Sequence, residues 1–159
     1  MKVSMLMGSD SDFEVAKVGI ETLKDFGVAV DVKVLSAHRT PVQTHDYIKE
    51  AEKSGTEVFI ALAGKAAHLA GAVAAGTIRP VIGVPIKSSH LGGLEALLST
   101  VEMPSGVPVA TVAINGAQNA ALLAVQMLAN KYPELDEKLR AYKAKMEREV
   151  LAKNPIMEG

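Results

Sequence analysis

Three short segments of this sequence carry closely spaced hydroxyl, carboxylate, imidazole and cationic groups. They are residues 8–12 (GSDSD), 36–40 (SAHRT) and 64–69 (GKAAHL). Each segment directly follows an apolar run that is typical of a β-strand. In open parallel sheets, ligands bind outside the carboxyl ends of the strands. If the strand order is the common 2-1-3-4-5, these three segments converge on one pocket.

The first segment combines a glycine, two hydroxyls and the predicted start of a helix. Backbone N–H groups together with the Ser9 and Ser11 hydroxyls form a cradle for an anion such as phosphate. The Asp12 carboxylate is suited to a sugar hydroxyl instead, because it accepts hydrogen bonds and repels phosphate. The alternative is that residues 9–12 only cap the helix, which is the usual role of such residues.

The second segment places a cation beside a group that exchanges protons. The planar guanidinium of Arg39 matches the geometry of a phosphate, and His38 has the one side chain that changes protonation near neutral pH. The alternative is an Arg39 on the surface and a His38 packed against the strand. We expect the functional reading, with His38 at the chemical centre, because both residues stand between a strand and a helix.

The third segment leaves two readings open for each of its polar residues. His68 is either a side chain that orients a ligand or a buried histidine paired with the backbone, and Lys65 is either an anion contact or a solvated lysine. The other two histidines, His45 and His90, are expected to be an exposed helix residue and a polar loop residue. No two histidines have metal-ligand spacing, so the sequence does not predict a metal site.

The elements that must position these residues follow from the alternation of apolar runs and helical stretches. Strands are predicted at residues 3–7, 28–35, 58–63, 80–84 and 107–114, separated by helices of roughly 10–15 residues, which is typical of a parallel α/β sheet. Residues 11–14 (SDFE) and 40–43 (TPVQ) read as capping boxes. Gly27 and Gly55 are placed where a glycine ends a helix.

Three further stretches indicate which helices are covered by the rest of the domain or by other subunits. Residues 66–76 are nearly all alanine and glycine, and residues 117–129 are apolar almost all round, so we expect other subunits to cover much of both helices. The final helix, at about residues 133–152, carries Leu135, Leu139, Tyr142, Met146 and Val150 at spacings of three and four. That helix covers either its own domain or a neighbour.

Composition narrows the class of protein. The chain has 159 residues, 48% of them hydrophobic, and a net charge of −1, which predicts one globular domain over residues 1–159 and gives no sign of nucleic-acid binding. Cysteine is absent, which excludes disulfides and thiolate chemistry and fits a cytoplasmic protein. No apolar run reaches the roughly 18–20 residues of a membrane span, so no membrane partner is expected.

Six segments taken in order make the sequence resemble a known family. They are MGSDSD (7–12), SAHRTP (36–41), AAHL (66–69), IGVP (82–85), GGLEALLSTVEMPSGVPVATVAI (92–114) and NAALLA (119–124). With these segments the chain resembles, over essentially its full length, the 5-(carboxyamino)imidazole ribonucleotide mutases, the class I enzymes of bacterial purine synthesis.

The resemblance implies a fold, an assembly and a reaction. The fold is a flavodoxin-like three-layer αβα sandwich with an extra C-terminal helix, and the assembly is a homo-octamer with sites at subunit contacts. The reaction moves the carboxylate of a ribonucleotide carbamate from the exocyclic nitrogen to the neighbouring ring carbon, with no metal, ATP or other cofactor.

The resemblance also implies the role of each site residue. His38 is the catalytic acid and base, Ser9, Ser11 and Arg39 hold the phosphate, and Asp12 holds the ribose hydroxyls. The base pocket is lined by His68 and its loop. The complete set of implied substrate-binding residues is Ser9, Ser11, Asp12, Ser36, Arg39, Gly64, Lys65, His68 and Leu69.

Two positions in the third segment depart from the family pattern GGAAHLPG. Lys65 replaces a glycine and Ala70 replaces a proline. The related class II enzymes carboxylate aminoimidazole ribonucleotide directly with carbon dioxide, and they carry a basic residue near Lys65, SAHKT in place of SAHRT, and asparagine in place of His68. Two of these three markers are of the class I type, and direct carboxylation is the alternative.

Two binding proteins share the expected fold and are the remaining alternatives. A flavin-binding flavodoxin needs aromatic residues around its cofactor, but the chain has no tryptophan and no tyrosine in the relevant loops. A phospho-receiver module needs an aspartate at the end of the third strand, where this chain has Ala63 and Gly64. We therefore expect an enzyme.

Overall fold

Five parallel strands form one sheet in the order β2-β1-β3-β4-β5 in the computed structural model, which describes residues 1–154. The strands are β1 (Lys2–Met7), β2 (Ala29–Val34), β3 (Val58–Gly64), β4 (Val81–Ile86) and β5 (Ala110–Thr111). The helices are α1 (Phe13–Asp25), α2 (Pro41–Lys53), α3 (Leu69–Gly76), α4 (Leu94–Val101), α5 (Ala117–Ala129) and α6 (Pro133–Leu151). A single turn of 3₁₀ helix, Asp10–Asp12, precedes α1.

Alternate residues of the central strands enter two hydrophobic cores, one on each face of the sheet. Val3 and Met5 of β1 pack with α1 and α5 on the first face, where Leu135 of α6 is also buried. Leu6 of β1 and Phe59 of β3 pack with α2 and α3 on the second face. The result is the expected flavodoxin-like three-layer sandwich, and the extra C-terminal helix is α6.

Strand β5 is much shorter than the predicted 107–114, and its neighbours explain why. It lies at the sheet edge and pairs with β4 only at Ala110 and Thr111. Pro108 has no N–H group to donate to a ladder, and Asn115 adopts a left-handed φ of 58° that turns the chain away. Edge position and these two residues therefore limit the strand.

Helix α3 begins at Leu69 instead of residue 66, so the prediction was wrong by three residues. Lys65 has a left-handed φ of 55°, and the following residues form a tight turn in which the His68 N–H donates to the Ala66 carbonyl. This turn separates β3 from α3. It uses residues that a longer helix would have included.

Both predicted capping boxes were wrong, because their hydroxyls close loops instead. The Ser11 hydroxyl lies within hydrogen-bond distance of Ser9 Oγ and Asp12 Oδ1, and Ser9 Oγ accepts the Ser11 N–H at the start of the 3₁₀ turn. The Thr40 hydroxyl accepts the Ser36 N–H and donates to the Ser36 carbonyl. The glycine predictions were right, since Gly27 and Gly55 follow α1 and α2 with φ of 77° and 93°.

Much of α5 is buried by the chain itself, whereas the sequence predicted that other subunits would cover it. Ala117, Ala120, Ala121 and Ala124 are fully or almost fully buried against α1 and the sheet. Helix α6 covers its own domain only with its first half: Leu135 is buried, whereas Met146 and Val150 are exposed. No helix within residues 1–154 combines the length and apolar character that a membrane crossing requires.

Candidate active site

A cavity of about 580 Å³ opens at the carboxyl end of the sheet, where the loops after β1, β2, β3 and β4 meet. All ten residues proposed from the sequence line it: Ser9, Ser11, Asp12, Ser36, His38, Arg39, Gly64, Lys65, His68 and Leu69. Because β1 lies between β2 and β3, the three predicted segments are neighbours in space.

The loop after β1 presents two linked hydroxyls to the cavity. The Ser11 Oγ atom is 2.9 Å from Ser9 Oγ and 3.2 Å from Asp12 Oδ1, so its one hydrogen can serve either acceptor, and the Ser9 hydroxyl donates to Asp10 Oδ1 over 3.1 Å. Hydroxyl rotors can redirect their hydrogens when a ligand arrives. Two serine hydroxyls at the start of a helix thus offer donors to an anion.

The Asp12 carboxylate is buried in the floor of this loop, with 6% of its surface exposed. Burial raises the pKa of Asp12 above its ordinary value, because removal from water disfavours the charged form. The Ser11 hydroxyl opposes this shift by donating to Asp12 Oδ1 over 3.2 Å. The carboxylate keeps free acceptor positions for a hydroxyl group of a ligand.

Arg39 links the loop after β2 to the loop after β1. Its Nη2 donates to the Gly8 carbonyl over 2.8 Å, and its Nε donates to Ser36 Oγ over 3.3 Å. The guanidinium has five N–H donors, so three remain without a partner among residues 1–154. A fixed guanidinium with spare donors beside two serine hydroxyls is a good phosphate site.

His38 and His68 contact each other across the cavity, although they are 30 residues apart in sequence. The His38 Nε2 and His68 Nδ1 atoms are 2.8 Å apart, and the rings meet edge to face with centroids 4.8 Å apart. One of these two nitrogens must carry the shared proton. Both side chains are exposed to the cavity, so the alternative of a His38 or His68 packed into the core is wrong.

The loop after β3 supplies a cation and an apolar wall. Lys65 is exposed and holds the left-handed conformation, which is strained for a residue with a side chain. Leu69 is 2% exposed and closes the base of the cavity at the start of α3. The cavity therefore carries the cations Arg39 and Lys65 on different loops.

The loop after β4 also lines the cavity, and the sequence analysis missed it. Lys87, Ser88 and Ser89 face the cavity together with Ile86. The signal was available, because this loop also follows a strand at the carboxyl edge of the sheet. It was overlooked because its one histidine, His90, was read as an ordinary residue of a polar loop.

A carboxylate on α4 holds this fourth loop. The Ser88 hydroxyl donates to Glu95 Oε1, and this hydrogen bond is the main cause of a lowered pKa of Glu95, against the opposing effect of desolvation. At the start of the loop, the Lys87 N–H donates to Asn115 Oδ1 over 2.9 Å. The loop is thus tied to two neighbouring elements.

The remaining histidines lie where they were expected. His45 is exposed on α2 and His90 is exposed in the loop before α4, and neither lines the cavity. Within residues 1–154 no three histidine, aspartate or glutamate side chains are grouped in a way that would hold a metal ion. Taken together, the cavity offers the hydroxyl and guanidinium donors of Ser9, Ser11 and Arg39, and a pair of imidazoles in contact.

Known proteins of the same kind cover almost the whole chain. A family model described as AIR carboxylase matches residues 2–149. The N5-carboxyaminoimidazole ribonucleotide mutase of Pyrococcus horikoshii is 55% identical, covering 98% of this chain and 88% of its own length. The protein of the same name from Thermotoga maritima is 54% identical, covering 99% and 92%.

The fold comparison agrees with the sequence comparison. The crystal structure of Treponema denticola PurE has a TM-score of 0.91 with this chain at 28% identity, and the match covers 99% of each chain. The flavodoxin-like architecture is therefore shared.

Replacing Asp12 by asparagine should stabilise the fold at neutral pH, because the buried carboxylate charge is removed. The raised pKa means that the folded protein takes up this proton more readily than the unfolded chain. The buried charge therefore lowers the free energy of unfolding at pH 7. This effect fades as the pH falls toward the ordinary pKa of aspartate, about 3.9. Thermal unfolding should show a gain in Tm at pH 7 that shrinks by pH 4.

The matched control is Asp46→Asn, which changes an exposed carboxylate on α2. Its Tm difference from the parent should be small at both pH values. A gain from Asp12→Asn that is as large at pH 4 as at pH 7 would contradict the raised pKa.

Proposed function

The chain belongs to the AIR carboxylase family, and we propose that it acts as an N5-carboxyaminoimidazole ribonucleotide mutase. The reaction moves a carboxylate from the exocyclic nitrogen of the substrate to the neighbouring carbon of the imidazole ring. The contact between His38 and His68 beside the Arg39 anion site is the observation that carries this proposal. The names of relatives more than 50% identical support it.

The phosphate of the substrate binds where the loops after β1 and β2 meet. Arg39 contributes its spare N–H donors, and Ser9 and Ser11 contribute hydroxyls. Asp12 accepts from the ribose hydroxyls, because its buried carboxylate has free acceptor positions and would repel the phosphate itself. This order places the imidazole ring toward His68, at the loop after β3.

His38 transfers the proton that the reaction needs twice. It first gives a proton to the exocyclic nitrogen as the C–N bond of the carbamate breaks and carbon dioxide is released. The ring carbon then forms a bond to carbon dioxide, and the proton displaced from that carbon returns to His38. No atom is gained or lost, so one histidine is sufficient as acid and base.

His68 and the cavity walls assist this transfer. The hydrogen bond between His38 Nε2 and His68 Nδ1 holds the His38 ring in one orientation and gives the proton a defined position. Retention of carbon dioxide within the cavity keeps it close to the ring carbon, which replaces a bimolecular encounter by an intramolecular one. Ser36 supports the site indirectly, because its hydroxyl accepts from the Arg39 backbone N–H and Nε.

One feature favours direct carboxylation as the second candidate function. Lys65 adds a cation at the loop after β3, at a position where the mutase pattern has glycine, and a cation attracts a carboxylate. In that reaction aminoimidazole ribonucleotide would take up free carbon dioxide. The two candidates differ in the substrate consumed and in the requirement for bicarbonate.

The enzyme should convert the carbamate substrate without added bicarbonate, and His38→Asn should lose turnover by about 100- to 10,000-fold, because the sole proton-transfer group is removed. His38 is exposed, so the variant should fold and still bind the product ribonucleotide. The measurements are turnover of freshly prepared carbamate and binding of the product.

The control for this variant is His45→Asn, an exposed histidine on α2 outside the cavity, which should keep parental turnover. Rapid, bicarbonate-dependent conversion of aminoimidazole ribonucleotide, with little activity on the carbamate, would replace the mutase by the carboxylase. Full turnover in His38→Asn would remove His38 from the mechanism.

Arg39→Ala should weaken binding of the ribonucleotide because it deletes a charge-assisted contact worth about 1.5–3 kcal/mol. That range corresponds to a rise of roughly 10- to 150-fold in the dissociation constant, measured by calorimetry. Arg39→Lys should bind the ribonucleotide with an affinity between those of the parent and Arg39→Ala, since lysine keeps the charge but lacks the planar guanidinium. Arg140→Ala, which changes an exposed arginine on α6, is the control, and unchanged affinity in Arg39→Ala would move the phosphate elsewhere.

We also propose that the chain forms a homo-octamer, as the family resemblance implies. Four apolar side chains around α4 support a subunit contact: Leu91, Leu94, Leu98 and Val101 are 48–65% exposed. They recur at spacings of three and four beside the loop that lines the cavity, and a monomer rarely exposes such a patch.

Sedimentation equilibrium should show a mass about eight times the 16.7 kDa of one chain. Leu94→Glu with Leu98→Glu should reduce this mass, because charges on the apolar face oppose its burial. A parent protein that is monomeric at micromolar concentration would contradict the assembly.

A further inference from the structure

We propose that the Ser88 hydroxyl oxygen accepts a hydrogen bond from the base of the substrate. Glu95 is the positioning residue, because it orients the Ser88 hydroxyl so that only an acceptor faces the ligand. The group recognised is an N–H on the exocyclic nitrogen. This inference rests on the proposed function, because it assigns the ligand group by the chemistry of an aminoimidazole ribonucleotide. It concerns the loop between β4 and α4, which the family motifs in the first three segments do not include.

The hydrogen-bond inventory of Ser88 leaves only an acceptor for a ligand. A serine hydroxyl has one hydrogen and two lone pairs. The hydrogen is given to Glu95 Oε1, and one lone pair accepts the His90 backbone N–H over 3.3 Å. The second lone pair remains, and Ser88 lines the cavity. Only a donor on the ligand can use it.

The loop that carries Ser88 is held on both sides. At its start, Asn115 accepts the Lys87 N–H and donates its own backbone N–H to the Pro85 carbonyl over 2.8 Å. At its end, Gly93 opens α4 with φ of 97°, and a Cβ there would lie 2.9 Å from Ile114 Cγ2. Between these two ends, the Ser88 hydroxyl contacts the Glu95 carboxylate on α4.

A carboxylate at the position of Glu95 is unfavourable for the stability of the fold. Its Oε2 atom is buried and has no hydrogen-bond partner within residues 1–154. A buried acceptor without a donor destabilises a fold. The presence of a carboxylate at this position is therefore better explained by its other oxygen. Glu95 Oε1 accepts the Ser88 hydroxyl hydrogen and so keeps that hydrogen from pointing into the cavity.

Strand order indicates which part of the substrate meets Ser88. The phosphate-binding loops follow β1 and β2, the His68 loop follows β3, and Ser88 follows β4. Ser88 thus lies beyond His68 as seen from Arg39, at the end of the cavity that the base reaches. The donors of an aminoimidazole ribonucleotide at that end are the N–H groups on its exocyclic nitrogen.

The test compares two ligands and a double-mutant cycle. Ser88→Ala and Glu95→Ala should each weaken binding of the product ribonucleotide about tenfold, the usual effect of losing one hydrogen bond. The double variant should lose no more than either single variant, because Glu95 acts through Ser88. Binding of ribose 5-phosphate, which has no base, should be unchanged in all three.

Two further variants separate positioning from a general loss of structure. Ser88→Thr keeps the hydroxyl and should retain most of the ribonucleotide affinity, and Glu102→Ala, an exposed carboxylate just after α4, should be neutral. Losses that add in the double variant, equal losses for ribose 5-phosphate, or parental affinity in Ser88→Ala would each overturn the inference. Failure of the parent to convert the carbamate would instead overturn the proposed function, because the ligand comparison is made without turnover.

Discussion

The parallel pairing of β1 with β2 on one side and β3 on the other is the constraint on which the cavity depends. Parallel strands that share a direction deliver their carboxyl ends to one edge of the sheet, and this order makes the first three loops neighbours. Arg39 can reach the Gly8 carbonyl, and His38 can reach His68, only because the strands that precede them are adjacent or next to adjacent.

The same edge has to hold charges of both signs in a small volume. Arg39 and Lys65 bring positive charge from different loops, which suits a ligand with a phosphate and a carboxylate. Asp12 and Glu95 are held differently: burial raises the pKa of the first, and a hydrogen bond from Ser88 lowers the pKa of the second. The two pKa values therefore move in opposite directions, because burial dominates at Asp12 and a hydrogen bond dominates at Glu95.

Much of the fold and most of the cavity lining could be predicted from the sequence, because local signals act over a few residues. Apolar runs predicted the central strands nearly to their ends, and Gly27 and Gly55 predicted two helix ends from the need for positive φ. The polar residues after the first three strands were recognised because loops at the carboxyl edge of a parallel sheet bind ligands. All of these residues line one cavity because the strand order makes their loops neighbours.

The rest was decided by contacts between residues far apart in the chain, which no local pattern encodes. The Ser11 and Thr40 hydroxyls close loops because partners there compete with the helix ends, and Lys65 is held in a turn that shortens α3. The contact of His38 with His68 joins residues 30 positions apart and exists only once β1, β2 and β3 are assembled. The sequence by itself determined the elements and the chemical groups, since periodicity and capping are local. Only the tertiary structure decided which of those groups touch, because hydrogen bonds depend on distances that strand order and packing set.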